Sequence, residues 1–257
     1  MTEFFMGSGW PVYCLRTQLR MARGQFDVCH ATVYSDANFN YSPGSDISLP
    51  AHRIGRVLEE YIRVRFPEVM SPEEGNLEPL FVSCKHSKCI VDPVTRSKRN
   101  FDQIRIALEF CVDFVQTKKV NPAGILIISS ERAMVEIISQ QLKQAQYVVF
   151  QGMRPPVTVH SVQGQESDMV VLVTGTNSVV GASFTSDERR LNVMLSRQKS
   201  ALVIFSDIDT VDHTGKSKAE LTQEPTGEMR FTKATMLKRV HRLMIQSGRV
   251  GIVDCRA

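Results

Sequence analysis

The sequence contains no long apolar run and no signal-like start. No apolar stretch approaches the roughly 20 residues that a membrane-spanning helix needs, and the first residues do not follow the charged-then-apolar order of a signal segment. A net charge of +4 is mildly basic, which permits nucleic-acid binding without arguing for it. We therefore expect an intracellular protein with no membrane partner, and the residues do not distinguish cytoplasm from nucleus.

Paired cysteine spacing is also missing. The only cluster of metal-ligand type is Cys84, His86 and Cys89, and no second pair of ligands follows at a comparable spacing. This pattern favours structural or incidental cysteines over the alternative of a metal site, so no metal site is predicted. Unpaired cysteines are typical of a reducing compartment. The six cysteines are Cys14, Cys29, Cys84, Cys89, Cys111 and Cys255.

Strand-like and helix-like segments alternate along the chain. Apolar runs at 80–83, 125–128, 169–173 and 201–205 alternate with stretches of helical spacing at 52–66, 102–116 and 133–144, and a polar helix precedes the last run. This alternation, with short loops, is typical of a mostly parallel sheet covered by helices on both faces. The predicted fold class is therefore α/β with three layers. Beyond residue 207 the chain is polar, and a further helix is predicted near 232–245.

Two stretches place polar residues at the ends of predicted buried strands. Residues 157–173 read VTVHSVQGQESDMVVLV, and residues 188–205 read ERRLNVMLSRQKSALVIF. Polar side chains at the ends of buried strands are how open α/β sheets build ligand clefts. Arg190 and Arg197 in the second stretch suit a phosphate far better than an apolar ligand.

These stretches resemble the fifth and sixth motifs of superfamily one helicases, in the group of the nonsense-mediated-decay RNA helicase and the DNA-replication helicase-like proteins. That group carries a VD-x-FQG-x-E-x-D segment and an RRLNVALTRA segment. Its LxxQYRMHP segment is matched by Gln18, Arg20 and Met21. The resemblance implies that residues 1–210 are the second of two RecA-like domains and that 211–257 are a C-terminal extension.

The resemblance also assigns roles to individual residues. Arg20 and Arg197 match the catalytic arginines that reach the γ-phosphate of ATP, and an arginine supplied in this way is worth about 10³–10⁵ in rate. Glu166 matches the acid that contacts the nucleotide ribose, and Arg190 matches the first arginine of the sixth motif, which we expect to orient that loop. The remaining nucleotide-binding positions are Gln18, Leu19, Gln163 and Gly164.

The sequence departs from the family at three places. Leu19 replaces a tyrosine that packs on adenine, and because ring stacking contributes on the order of 1 kcal/mol, weaker nucleotide binding is expected. His160 replaces the aspartate that precedes Ser161, the predicted nucleic-acid backbone contact. Residues 129–133, SSERA, replace the Pro-Tyr-x-x-Gln element that contacts nucleic acid, and Arg132 is the candidate phosphate contact there.

The phosphate-binding loop G-x-x-x-x-G-K-[ST] is absent from the sequence. The resemblance implies that ATP and Mg²⁺ are bound mainly by a first RecA-like domain, in cis or in trans, and that this chain alone hydrolyses no ATP. Two interpretations stay open. The chain is the C-terminal domain of an ATP-dependent helicase that binds single-stranded RNA or DNA, or it is a catalytically silent remnant that binds nucleic acid or protein.

Overall fold

The computed structural model describes residues 7–9, 16–211, 219–223 and 229–256. The helices are α1 (Asp27–Val33), α2 (Arg53–Arg65), α3 (Phe101–Lys118), α4 (Arg132–Gln141), α5 (Glu188–Met194) and α6 (Thr235–Gln246). The strands are β1 (Thr17–Gln18), β2 (Asn40–Tyr41), β3 (Leu80–Lys85), β4 (Ile90–Val91), β5 (Lys98–Arg99), β6 (Ile125–Ser129), β7 (Val157–Thr158), β8 (Ser167–Val173), β9 (Gln198–Ser206), β10 (Ala219–Gln223), β11 (Met229–Lys233) and β12 (Val250–Asp254).

Six strands form the central sheet in the order β12-β3-β9-β8-β6-β7. Every neighbouring pair in it is parallel. Parallel strands are joined by crossover helices that lie on the faces of the sheet, which is why the apolar runs of β6, β8 and β9 are buried on both sides. Three two-stranded sheets stand apart from it: β1–β2, β4–β5 and β10–β11.

Alternate residues of each central strand face opposite helical layers. On β8, Met169 and Val171 pack in the core that includes side chains of α2, α3 and α4, whereas Val170 and Leu172 pack in the core that includes α1, α5 and α6. This is the period of two that a pleated strand imposes on its side chains. The predicted three-layer α/β fold, with a parallel sheet between two helical layers, is confirmed.

The helix boundaries agree closely with the sequence pattern and have local causes. The side chain of Asn100 accepts a hydrogen bond from the backbone N–H of Gln103 at 3.0 Å and so caps the start of α3. The helix ends at Lys119, whose φ of 52° places it in the left-handed region. The helix predicted near 232–245 is α6, at Thr235–Gln246.

The segment beyond residue 210 contributes to the same sheet. Strand β12 pairs with β3, and α6 packs against the sheet face that α1 and α5 cover. The guanidinium of Arg249, which precedes β12, is fully buried and donates to the Glu59 carboxylate at 2.6 Å and to the Met70 carbonyl at 2.7 Å. The residues predicted as an extension therefore supply an edge strand and a covering helix of the central sheet.

In the part of the chain that the structure describes, no helix is both long and apolar enough to cross a membrane.

Candidate functional site

Arg20, Glu166 and Arg197 lie together at the amino edge of the central sheet. Strands β8 and β9 begin side by side there, because the backbone N–H of Ser167 donates to the carbonyl of Arg197 at 3.0 Å. Arg20 Nη1 is 3.7 Å from Glu166 Oε2, and Arg20 Nη2 donates to the Ser196 carbonyl at 2.5 Å. Three side chains that are far apart in sequence are thus brought to one place.

Hydrogen bonds from its backbone N–H groups hold the loop that carries Arg20 in position. The side-chain oxygen of Gln18 accepts hydrogen bonds from the N–H groups of Arg20 (3.0 Å) and Met21 (3.2 Å). The N–H of Ala22 donates to the Lys199 carbonyl at 2.7 Å, which attaches the loop to the start of β9. Leu19 is 72% exposed, so its apolar side chain is presented to solvent beside the anchored arginine.

His52 also supports this loop, and no sequence pattern pointed to it. The buried imidazole lies 2.8 Å from Ser200 Oγ through Nδ1 and 2.9 Å from the Gly44 carbonyl through Nε2. Ser45, next to Gly44, donates its hydroxyl to the Gln18 carbonyl at 3.2 Å. His52 therefore connects β9 to the segment on which Gln18 and Arg20 rest.

Further cations surround Glu166. Lys199 Nζ lies 3.1 Å from Glu166 Oε1 and 3.7 Å from Asp168 Oδ1, and Arg154 Nη2 donates to the Glu166 carbonyl at 2.8 Å. Half-exposed ion pairs of this kind contribute about 1 kcal/mol or less, so the carboxylate is held weakly. The sequence did not point to Lys199 or Arg154, because their contacts with Glu166 form only once β8 and β9 lie side by side.

The two arginines of the cluster repel one another. The pKa of Arg197 is lowered, first by burial and then by the charge of Arg20. The Nε atoms of both arginines are buried and have no hydrogen-bond partner among the described residues. Arg197 Nη2 donates to Ser196 Oγ at 2.9 Å. Two adjacent guanidinium groups with unused buried donors form a site that an anion such as phosphate would complete.

Ser161 and Arg132 lie at the opposite, carboxyl edge of the sheet. Strand β7 pairs with the last residues of β6, and Ser161 follows β7 in a turn where its hydroxyl accepts from the N–H of Thr158 at 3.0 Å. Arg132 starts α4 directly after β6, and its side chain is 88% exposed in an ion pair with Glu136 at 3.1 Å. The two predicted nucleic-acid contacts therefore share an edge that is distinct from the arginine cluster.

Gln163 and Gly164 lie on the segment that joins the two edges. The N–H of Val159 donates to the carbonyl of Ser129 at the carboxyl edge, and Ser167 begins β8 at the amino edge. Residues 160–166 run between these points, and Gln163 and Gly164 are both exposed along the way. This placement connects the turn of Ser161 to Glu166 through a short stretch of chain.

Arg190 is directed away from the arginine cluster. It lies in the first turn of α5, almost buried, with its guanidinium 4.6 Å from the ring centroid of Phe184. Its charge acts on Glu131, which follows β6 at the carboxyl edge and whose pKa is raised to about 7 by burial. Arg190 and Arg197 thus lie toward opposite edges of the sheet, although they are only seven positions apart in sequence.

Residues 1–209 match the family model described as AAA domain, which covers most of the chain. The chain belongs to this family. The AAA domain is of the helicase-like kind found in superfamily one, so the broader part of the resemblance is confirmed, whereas the narrower group stays a prediction.

One curated relative of this AAA domain is the DNA polymerase alpha-associated DNA helicase A of Schizosaccharomyces pombe. It is 32% identical over 88 residues, a region that is 34% of this chain and 13% of the relative. A solved structure described as the C-terminal domain of a possible DNA helicase from Lactobacillus plantarum WCFS1 is 14% identical. The superposition covers 60% of this chain and 84% of that chain, with a TM-score of 0.33. A likeness at that level carries no argument about the fold or the function.

Among the described residues, no group of three or more His, Cys, Asp or Glu side chains is arranged to hold a metal. Glu166 and Asp168 at the arginine cluster are both engaged by Lys199. The cations at the amino edge carry the charge that a bound anion such as phosphate requires.

Proposed function

We propose that this AAA domain is the C-terminal motor domain of an ATP-dependent helicase. In this role it brings Arg20 and Arg197 to a triphosphate that is held by a first RecA-like domain. The observation that carries the proposal is the pair of neighbouring guanidinium groups at the amino edge, both with buried Nε donors that the described residues leave unused. A triphosphate would supply acceptors to these donors and offset the repulsion between the two charges.

The arginines act on charge that builds up during phosphoryl transfer. As the bond to the γ-phosphate breaks, negative charge spreads over its oxygens, and a preorganised guanidinium stabilises that charge without reorganising. Gln18 and Ser196 keep the two arginines in place, through the backbone of Arg20 and through the Nη2 atom of each guanidinium. Glu166 is free to exchange a weak ion pair for a hydrogen bond to a ribose hydroxyl.

Single-stranded nucleic acid is proposed to bind at the carboxyl edge. Arg132 would contact a phosphate, and Ser161 would hydrogen-bond to the backbone of the strand. Residues 160–166 join this edge to Glu166, and in the proposed mechanism Gln163 and Gly164 would couple the nucleotide state to strand binding. The curated relative is a DNA helicase, which supports DNA as the strand to test first, with RNA beside it.

The decisive experiment combines the purified chain with the first RecA-like domain of a superfamily one helicase and measures ATP hydrolysis with single-stranded DNA. We expect hydrolysis that neither component shows alone, and a loss of about 10³-fold or more in Arg197→Ala. Arg63→Ala, at an exposed position on α2, is the matched control and should retain the activity. Equal activity in the two variants would contradict the proposed role.

The second candidate function is a catalytically silent interaction module. Exposed Leu19 in place of an adenine-stacking tyrosine, and the SSERA segment in place of a nucleic-acid-contacting element, favour it. In the same experiment, this alternative predicts that the chain binds single-stranded DNA or RNA while adding no ATP hydrolysis to any first domain.

A further inference from the structure

A short hairpin at the carboxyl edge of the sheet carries charge of mostly one sign. Its strands, β4 and β5, pair antiparallel after the end of β3. Residues 88–99 contain four cationic side chains and one carboxylate, that of Asp92. We call residues 88–99 the basic hairpin. Its cations are Lys88, Arg96, Lys98 and Arg99.

Hydrogen bonds hold the turn of the basic hairpin in place. Asp92 Oδ1 accepts from the N–H groups of Val94 at 3.0 Å and Thr95 at 2.8 Å, and the Asp92 N–H donates to the Ser97 carbonyl at 2.9 Å. Arg96 has a φ of 59°, and its N–H donates to the Asp92 carbonyl at 3.0 Å. Arg96 is therefore presented to solvent from a turn that is already ordered, so a ligand bound there orders little additional backbone.

The basic hairpin extends from the end of β3 to α4. Directly after β5, the N–H of Asn100 donates to Met134 Sδ of α4 at 3.2 Å. Lys98 Nζ donates to the carbonyl of Val180, in the loop after β8, at 3.5 Å. The hairpin therefore lies over the carboxyl ends of the strands between β3 and β6. Because α4 begins at Arg132, the hairpin continues the surface that carries this exposed arginine.

In the described part of the chain, Lys88 and Arg96 have no carboxylate within ion-pair distance. Both residues are exposed. Arg99 Nη2 is 3.9 Å from Asp92 Oδ2, at the long limit of an ion pair, and both side chains are partly exposed. A pair of that kind contributes about 1 kcal/mol or less, so a phosphate can replace the carboxylate at little cost.

We propose that the basic hairpin binds the phosphates of a single nucleic-acid strand and extends the strand-binding surface from Arg132 to the end of β3. This inference rests on the proposed function, which places the strand at the carboxyl edge. Each phosphodiester carries one negative charge, and Lys88, Arg96 and Arg99 supply cationic donors for it. Contacts to phosphates position a strand without reading its bases, so this binding is independent of sequence.

The sheet sets the length of strand that such a surface covers. In the sheet order, β7, which precedes Ser161, and β3, which precedes the basic hairpin, are four strand intervals apart. Neighbouring strands are about 4.8 Å apart, so this separation is about 19 Å. At a rise of about 3.4 Å per nucleotide it corresponds to about six nucleotides. Contacts at Ser161 and Arg132 alone, on the neighbouring strands β7 and β6, cover only about two.

Binding of fluorescent oligothymidylate to the intact chain, measured by anisotropy over a range of salt concentrations, tests the hairpin. Lys88→Gln and Arg96→Gln should each weaken binding roughly 3- to 10-fold and reduce the salt slope by about 0.7, the value for one phosphate of a single strand. Lys143→Gln, which removes a charge from an exposed position after α4, is the matched control and should bind as wild type does. Wild-type affinity and slope in both hairpin variants would overturn the inference.

Arg132→Ala, measured beside these variants, separates this inference from the proposed function. If Arg132→Ala weakens binding while both hairpin variants bind as wild type does, the strand lies at the carboxyl edge without touching the hairpin, and this inference alone is wrong. If none of the three variants weakens binding, the strand-binding part of the proposed function is wrong as well.

A length series gives a second measurement. The affinity of the wild-type chain should rise with oligothymidylate length up to about six nucleotides, whereas the double variant Lys88→Gln/Arg96→Gln should stop gaining at about two or three. The same length dependence in both proteins would contradict the proposed path. Displacement by hexaglutamate as effective as displacement by hexathymidylate would assign the hairpin to an acidic polypeptide instead and would also overturn the inference.

Discussion

The amino and carboxyl edges of the central sheet differ in how well they keep the pattern of the helicase-like family. At the amino edge, Arg20, Glu166 and Arg197 all match the family motifs and meet within one cluster. At the carboxyl edge, the SSERA segment after β6 and His160 before Ser161 both depart from the pattern. The edge proposed for nucleotide chemistry thus keeps its charged side chains and departs from the pattern at Leu19, whereas the edge proposed for nucleic acid has changed most of its motif side chains.

The two edges of the sheet also differ in their charges. Among the described residues, the cluster at the amino edge holds four cations around two carboxylates, so its net charge is positive. The cations are Arg20, Arg154, Arg197 and Lys199, and the carboxylates are those of Glu166 and Asp168. The carboxyl edge instead buries its own acid, Glu131, near Lys98 and Arg190. A nucleic-acid strand at that edge would have to rely on exposed groups such as Arg132. We therefore expect the two edges to respond differently to mutation.

The largest expected effect is at the amino edge. Arg20→Ala should reduce DNA-stimulated ATP hydrolysis, measured with a first RecA-like domain present, by about 10³-fold, because it removes one of the two charges that we propose act on the γ-phosphate. Strand binding without nucleotide, measured by fluorescence anisotropy, should remain within about twofold. A variant that lost strand binding and kept hydrolysis would reverse the assignment of the two edges.

The next effect concerns stability at the carboxyl edge. Burial raises the pKa of Glu131 to about 7 from its ordinary 4.5, so the folded protein holds a proton that the unfolded chain releases. The stability from this proton is complete below about pH 4.5 and is lost as the pH rises to about 7. The difference between the two pKa values corresponds to about 3 kcal/mol in the free energy of unfolding.

Glu131→Gln should therefore remove that loss, so that the variant is more stable than wild type at pH 8 by up to about 3 kcal/mol. Urea unfolding of both proteins at a series of pH values measures this difference in the free energy of unfolding. Glu136→Gln, at an exposed position on the same helix, should follow the wild-type curve. A wild-type pH dependence in Glu131→Gln would show that another group is responsible.

A smaller effect is expected from the exposed arginine of the carboxyl edge. Arg132→Ala should weaken binding to single-stranded DNA by roughly 3- to 10-fold and reduce the salt dependence of the binding constant by about one phosphate contact. ATP hydrolysis at saturating DNA should be unchanged. If Arg132→Ala binds DNA as tightly as wild type at all salt concentrations, the carboxyl edge is not where the strand lies.

The smallest effect should come from restoring a ring at the amino edge. Leu19→Tyr places an aromatic side chain at a 72% exposed position next to Arg20. Stacking on adenine contributes about 1 kcal/mol, so nucleotide should bind about fivefold more tightly. Leu49→Tyr, at another partly exposed leucine, is the control for added aromatic surface. Tighter binding in both variants would point to non-specific association.

Local patterns in the sequence were sufficient to predict the layers of the fold, whereas the grouping of the arginines was predicted from the resemblance to a helicase family. The period of two in β8 and the helical spacing around Ile104–Val115 are properties of neighbouring residues, so the chain itself displays them. Arg20, Glu166 and Arg197 could be grouped because a motif orders them, although nothing local brings them together.

Contacts that form only when distant segments fold together could not be predicted from the sequence. His52 lies 148 positions from Ser200, and the pairing of β12 with β3 joins segments about as far apart. The burial of Glu131 likewise depends on Lys98 and Arg190 from two other elements. The direction of Arg190 could not be inferred either, since a helix presents its residues to different sides over a single turn.

The position of Arg249 in the sequence affects when the contacts around β3 can form during synthesis. Its buried guanidinium satisfies Glu59 and the carbonyls of Met70 and Pro79, all of which leave the ribosome long before it does. Until Arg249 and β12 emerge, that acid lacks its cation, and the outer side of β3 stays open to pairing with another chain. The outer side of β3 is therefore covered only after residues 249–254 have been made.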